Sequence, residues 1–280
     1  MKSTQPVFVV SSGRSGTHAL ARALTHYPDI DMYHEYCVDY IQPLAFDYYH
    51  HLVNLDVAVK TIWSTYGGAV ELSDKQMWGD SSNKLSWLIL PLLKVFPNAK
   101  FIWLVRDGRK VVSSYYNKLS AECYDDESVF RMRTWLESPD TSTQPPPEKK
   151  YWWPLPPWNP YWELPTRFEL LAWHWAEINR VIGEEIKWVP RGNAFIAKLE
   201  DLVNANNDRF DDLLDFLKLP WNKDAFDSLK VPDNVHVPVD TPFTKEQEQV
   251  FWNECKSTME EFGYAGETYT MEYHPEGWKE

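Results

Sequence analysis

The chain has 280 residues, 44% of them apolar and 25% charged, and carries a formal net charge of −13. That length suits one large α/β domain with a sizeable core, and the acidic balance excludes a general nucleic-acid binder, which needs a basic face to neutralise phosphates. An anionic ligand is restricted to a place where the few Arg and Lys gather locally.

The chain opens on Met1 to Pro6 and a four-residue apolar run, Val7-Phe8-Val9-Val10. The run is too short for the apolar part of a signal peptide, and nowhere do 18 apolar residues follow one another, so no membrane span and a cytoplasmic location are expected. Cys37, Cys123 and Cys255 are widely spaced, with no CxxC pair; reduced thiols and no metal site are expected.

Val7 to Val10 is a β-branched run ending in Ser-Ser-Gly and reads as a buried strand. From Thr17 the apolar residues Leu20, Ala23, Leu24 and Tyr27 recur at helical spacing until Pro28-Asp29 stops them. A short extended segment then leads to Tyr33-His34-Glu35-Tyr36. Further strands are predicted at Val57 to Ile62, Lys100 to Val105 and Ala194 to Leu199. Helices are predicted at Lys84 to Phe96, Arg167 to Ile182, Phe210 to Leu217 and Lys245 to Phe262, with Asp80 a candidate cap for the helix near Ser82. Strands alternating with helices imply an α/β sandwich with a central parallel sheet covered on both faces.

Between Trp135 and Pro165 stand nine prolines and five tryptophans with almost no periodicity. Proline lacks a donor and fixes φ, so this stretch forms no regular helix. A thirty-residue irregular segment of this kind is functional or disordered, and its tryptophans argue against disorder. It is expected as an insert at about 135–165 in a single domain spanning 1–280. Its Trp152, Trp153 and Trp158 are candidates to bind an acceptor, because indole faces stack on sugars and phenols. A packed lid is the structural alternative.

Ser11-Ser12-Gly13-Arg14-Ser15-Gly16-Thr17 lies between the first strand and the first helix. Its glycines admit left-handed angles, the helix start offers unpaired N–H groups, and Arg14, Ser15 and Thr17 add a charge and hydroxyls. These parts suit a tetrahedral dianion. A nucleoside-triphosphate loop reads GxxxxGK[ST]; here Thr17 follows Gly16 directly, and no convincing strand ends in a magnesium-binding aspartate. A second strand-turn-helix, Phe101 to Tyr115, carries Arg106, Arg109 and Lys110 at a strand's C-terminal end, where parallel sheets bind ligands. Arg109 and Lys110 read as solvated helix charges.

The ordered pair of turns resembles the sulfotransferases that use 3′-phosphoadenosine-5′-phosphosulfate (PAPS), particularly the tyrosylprotein and bacterial carbohydrate branch. Gly13 to Thr17 looks like that family's 5′-phosphosulfate loop. Leu104-Val105-Arg106-Asp107-Gly108-Arg109 followed by Ser114 looks like its 3′-phosphate motif, with the family's arginine-to-serine spacing of eight. Lys198-Leu199-Glu200-Asp201-Leu202 and the ending Glu261-Phe262-Gly263-Tyr264 are weaker matches. The likeness spans nearly the whole chain outside the Trp/Pro insert.

The resemblance implies a P-loop-like three-layer sandwich and a PAPS-dependent, nucleotide-binding transferase that releases 3′-phosphoadenosine 5′-phosphate (PAP) and needs no metal. It assigns Ser12, Gly13, Arg14, Ser15, Gly16, Thr17 and His18, with Arg106, Ser114 and Leu199, to the nucleotide, and makes Arg14 catalytic as well. The acceptor is a hydroxyl or amine, on a carbohydrate or a phenolic small molecule. In the tyrosylprotein branch a glutamate stands 21 positions after the loop arginine, which makes Glu35 the expected base and acceptor contact; His34 is the alternative. Where the family carries a catalytic lysine this chain has Ser81 or Ser82, leaving Lys84 and Lys60 as substitutes. A PAPS-binding protein without turnover and a P-loop nucleotide kinase are the rival readings.

Overall fold

In the computed structural model, which describes residues 4–117, 123–139, 145–157, 165–204, 206, 208–232 and 242–267, the first apolar run is a strand, β1 (Gln5–Ser11), buried along all but its first residue. Burial on both faces is the mark of a central strand in a parallel sheet. Helix α1 (Thr17–Leu24) follows, then β2 (Ile30–His34) and α2 (Val38–Tyr49). Next come α3 (Leu55–Ile62), a π-helical turn at Trp63–Gly67 and α4 (Gly68–Leu72). Strand β3 (Met77–Ser81) leads through a 3-10 turn at Asn83–Trp87 into α5 (Ile89–Val95) and β4 (Lys100–Val105).

After β4 stand α6 (Gly108–Tyr116), α7 (Asp126–Glu137), a 3-10 turn at Pro147–Tyr151 and α8 (Arg167–Glu185). Strand β5 (Ala194–Lys198) is followed by α9 (Leu199–Leu202), α10 (Asp208–Leu217), α11 (Lys223–Lys230) and α12 (Lys245–Glu261). The described strands form one parallel sheet in the order β2-β3-β1-β4-β5. The order reverses at β1, so the first loop opens at the switch point where such sheets bind ligands.

The strand expected at Val57 to Ile62 is instead helix α3. Asn54 caps it by accepting from Val57 N–H, and within it only Ala58 and Ile62, four residues apart, are buried. The β-branched composition mimics a strand, but one-sided burial at that spacing is helical. Strand β3 escapes sequence patterning because Met77-Trp78-Gly79-Asp80-Ser81 carries two strand-poor residues, Gly and Asp. Burial at the sheet centre overrides that preference. The helix expected over Lys84 to Phe96 breaks at Leu88, whose φ is −131°; Pro91 then falls in the first turn of α5, where its missing N–H costs nothing.

Two compact units make up the chain, residues 1–106 with 181–233 and residues 107–180 with 234–280. In the first, one sheet face buries Val7, Val9, Ile102 and Leu104 together with Leu20 of α1, Leu213 of α10 and Phe226 of α11. On the other face, Phe8 meets Tyr66, Phe96 and Phe101, and Gly183 of α8 lies against Trp103. Each fully buried Leu, Val or Phe there contributes about 1.5–3 kcal/mol relative to exposure.

In the second unit, Trp175 of α8 packs on Phe251 of α12, and Cys255 Sγ donates to Ala172 O. Arg167 fans its guanidinium over the carbonyls of Tyr115, Tyr116 and Cys123. The chain leaves α12 through Gly263, at a φ of 72°, and buries Tyr264. Among the described residues no helix is long and apolar enough to cross a membrane.

Candidate functional site

The loop after β1 is built from its own hydroxyls. Ser11 Oγ accepts from Gly13 N–H at 3.0 Å, Ser15 Oγ donates to Gly13 O at 2.9 Å, and Ser12 Oγ lies 3.1 Å from Ser15 Oγ. From the turn after β3, Ser86 Oγ accepts from Ser11 N–H and donates to Ser11 O, both at 2.8 Å. Gly13, Arg14 and Gly16 all take left-handed angles, with φ of 76°, 52° and 85°. Left-handed residues so close together fold the loop back sharply, and tight turns of this kind form the backbone concavities that bind anions. Helix α1 then begins at Thr17 with no side-chain cap, and a helix start leaves its first N–H groups open to an anion.

Two contacts lock this loop into the sheet. Arg106, just past the end of β4, donates from Nη1 to Arg14 O at 2.8 Å. Leu199, at the start of α9, closes over Gly16, where an added Cβ would stand 2.7 Å from Leu199 Cδ1. The first unit thus gathers Ser12 to Thr17, Arg106 and Leu199 in one place. His18 is exposed on α1 and meets the ring of His34 edge-on at 4.9 Å.

The neighbouring strands bring the predicted base to the same sheet edge. Thr17 O accepts from Ser81 Oγ at 2.9 Å, and Ser81 O accepts from Glu35 N–H at 3.2 Å. His34 Nε2 lies 3.4 Å from Thr17 Oγ1. The Glu35 carboxylate is ion-paired through Oε1 with Nζ of Lys84, a lysine buried in the turn after β3. Lys60 is exposed on α3. Ser81 holds the loop helix, therefore, and Lys84 is the cation beside Glu35.

Asp80 is not a helix cap: Ser82 caps the following turn, accepting from Lys84 N–H at 3.2 Å. Asp80 is the penultimate residue of the inner strand β3, a placement the sequence had not revealed. Its carboxylate accepts from Tyr36 N–H at 3.0 Å and from Tyr66 Oη at 2.8 Å. Burial pushes its pKa up to about 7, the two hydrogen bonds opposing that rise and the nearby Glu35 adding to it.

In the second unit, Ser114 is half-buried on α6, whose first turn is capped by Asp107 accepting from Arg109 N–H at 2.9 Å. Arg109 and Lys110 are not solvated: Arg109 forms a two-pronged pair with Asp107, and Lys110 is buried. Trp152 and Trp153 are interior, at 2% and 8% exposure. Trp152 meets Trp135 edge-on, and Trp153 meets His174, which is itself 3.0 Å from Tyr124 Oη. Neither indole presents an open face. Trp158 lies outside the described residues. No group of three or more His, Cys, Asp or Glu that could hold a metal occurs among the described residues.

Residues 56–138 match the profile of the Sulfotransferase family. No curated protein matches the chain. Among solved structures, the fold is similar to a sulfotransferase domain from the curacin biosynthetic pathway, at 13% identity and a TM-score of 0.51, covering 94% of this chain and 99% of that one. It is also similar to a sulfotransferase from Mycobacterium avium, at 12% identity and a TM-score of 0.53, covering 94% of this chain and 78% of that one. At those identities the likeness is one of fold. The chain has the parallel α/β fold seen in those sulfotransferases, and its residues 56–138 are similar to the Sulfotransferase family.

Proposed function

We propose that the protein transfers a sulfuryl group from PAPS to a hydroxyl or amine of an acceptor, releasing PAP. The observation that carries this reading is the serine-built loop of Ser12 to Thr17, joined through Ser81 to Glu35 at one sheet edge. In this reading the loop N–H groups, Ser15, Thr17 and Arg14 hold the 5′-phosphosulfate, with His18 at the rim. Arg106 takes the 3′-phosphate, and Leu199 keeps the loop closed against its neighbour.

Sulfuryl transfer resembles phosphoryl transfer in passing through a loose, in-line transition state, so the protein mainly positions groups and stabilises charge. The acceptor oxygen or nitrogen forms a bond to sulfur while the bond from sulfur to the 5′-phosphate oxygen breaks. Charge developing on that leaving oxygen faces the loop N–H groups and the Arg14 guanidinium. The acceptor's proton passes to Glu35: Lys84 engages Oε1, and Oε2 is the atom assigned to take it. His34, seated on Thr17 and His18, is assigned to orient the loop side of the site. Trp152 and Trp153, being interior, shape the second unit, and the acceptor contact is assigned to Glu35.

A nucleotide kinase is less well supported. The loop has no lysine before Thr17, and the strand-end carboxylate of Asp80 already accepts from Tyr36 and Tyr66. Transfer of labelled sulfate from PAPS across a panel of sugars, phenols and amines tests the proposal. Glu35→Gln is expected to keep PAP affinity while cutting turnover about 100-fold or more. Retained turnover in Glu35→Gln together with its loss in His34→Ala would move the base to His34. Nucleotide binding with no sulfated product from any acceptor would favour a binding protein.

A further inference from the structure

We propose that Asp80 is a positioning residue for the transfer, its buried carboxylate clamping the strained turn that presents Glu35. The inference rests on the reading of Glu35 as the base. Glu35 and Cys37 both hold left-handed angles, with φ of 58° and 51°, although neither is glycine. Such backbone persists only where the surroundings over-determine it. Here Glu35 N–H is held by Ser81 O, Val38 N–H by Glu35 O, and the N–H between them, that of Tyr36, by Asp80 Oδ1. Asp80 is therefore the one side chain among these acceptors.

The other carboxylate oxygen explains an irregular element. The five residues Trp63–Gly67 form a π-helical turn, a rare conformation that recurs at functional positions. This turn carries Tyr66, whose Oη reaches Asp80 Oδ2 at 2.8 Å and Tyr36 O at 3.4 Å. Tyr66 is fixed by ring contacts with Phe8, Tyr36 and Trp78. Gly67 is required there, because an added Cβ would lie 2.9 Å from the Trp63 indole. A tyrosine from one element and a backbone amide from another thus share an aspartate with no solvent exposure.

The titratable groups facing this carboxylate are Glu35, Tyr36 and Tyr66, with Cys37 beside the two tyrosines and Lys84 paired to Glu35. A proton on Oδ2 reverses the Tyr66 bond, the carboxyl then donating to Tyr66 Oη, while Oδ1 keeps accepting from Tyr36 N–H, so the clamp on the turn holds in either state.

Three variants test the proposal. Asp80→Ala is expected to lower kcat about 30-fold while PAP affinity and acceptor KM stay within about 3-fold. Asp80→Asn, which keeps an acceptor for Tyr36 N–H, should recover most of that loss. Tyr66→Phe, which leaves the aspartate in place, should lose about 5-fold in kcat and guards against an Ala variant that fails to fold. Unmodified kcat in Asp80→Ala or Tyr66→Phe would overturn the proposal. Hydrogen exchange at Tyr36 N–H needs no turnover. Faster exchange in the Asp80→Ala or Tyr66→Phe variant supports the clamp even if Glu35→Gln shows that Glu35 is not the base, and unchanged exchange rejects it.

Discussion

Gly16 is the loop residue with the least freedom to change. Its φ of 85° is strained for any other residue, and a Cβ would collide with Leu199. Gly16→Ala is expected to weaken PAP binding about 10-fold or more and to lower the melting temperature, both measurable by calorimetry. Unchanged PAP affinity would mean that the loop does not hold the nucleotide. The glycines of this loop were legible in the sequence because the requirement is local: a strand, a turn and a helix within a dozen residues. Lys84 and Asp80 were harder to read. Lys84 meets a partner 49 positions earlier and Asp80 one 44 positions earlier, so only the pairing of β2 with β3 brings them to Glu35.

At the scale of elements, Glu185 shows how a helix end is satisfied from another helix. This last residue of α8 accepts from Leu90 N–H in the first turn of α5 at 2.9 Å, filling one of the donors that a helix start leaves open. Burial pushes its carboxyl up to about 7, against an ordinary value near 4.5. The folded chain therefore holds a proton that the unfolded chain releases between those values, so the contribution falls as pH rises through this window and is level above it. Asp80 acts in the same direction, whereas His50, lowered to about 4 by burial, acts oppositely on the acid side. Glu185→Gln keeps an acceptor and removes the charge. Its melting temperature relative to the unmodified protein is expected to rise between pH 5 and pH 8; a constant difference would show that Glu185 does not titrate there.

The same scale explains which elements could be read in advance. β4 and β5 are apolar runs bounded by turn residues, and their expected and observed limits agree within a residue. α3 was mistaken for a strand because β-branched residues fill its exposed side. β3 was missed because its glycine serves packing: a Cβ at Gly79 would lie 2.6 Å from Val7 O. Close approach of neighbouring strands, not strand preference, places a glycine there.

At the scale of the whole molecule, the chain is acidic yet sets Arg14, Lys84 and Arg106 around one loop and its neighbours in the first unit. The Trp/Pro stretch, expected as an insert, supplies interior residues to the second unit together with α8 and α12. Its role was not legible, because composition reveals irregular backbone without revealing which indoles are buried. The central claim is that the first loop and the turn at Arg106 serve a bisphosphorylated nucleotide. Titration calorimetry with PAP, using ATP with magnesium as the control, tests it most directly. The account predicts PAP binding with little response to ATP, and a loss on the order of 1.5–3 kcal/mol in Arg106→Ala, which leaves a phosphate unpaired. Preference for ATP, or full PAP affinity in Arg106→Ala, would contradict it.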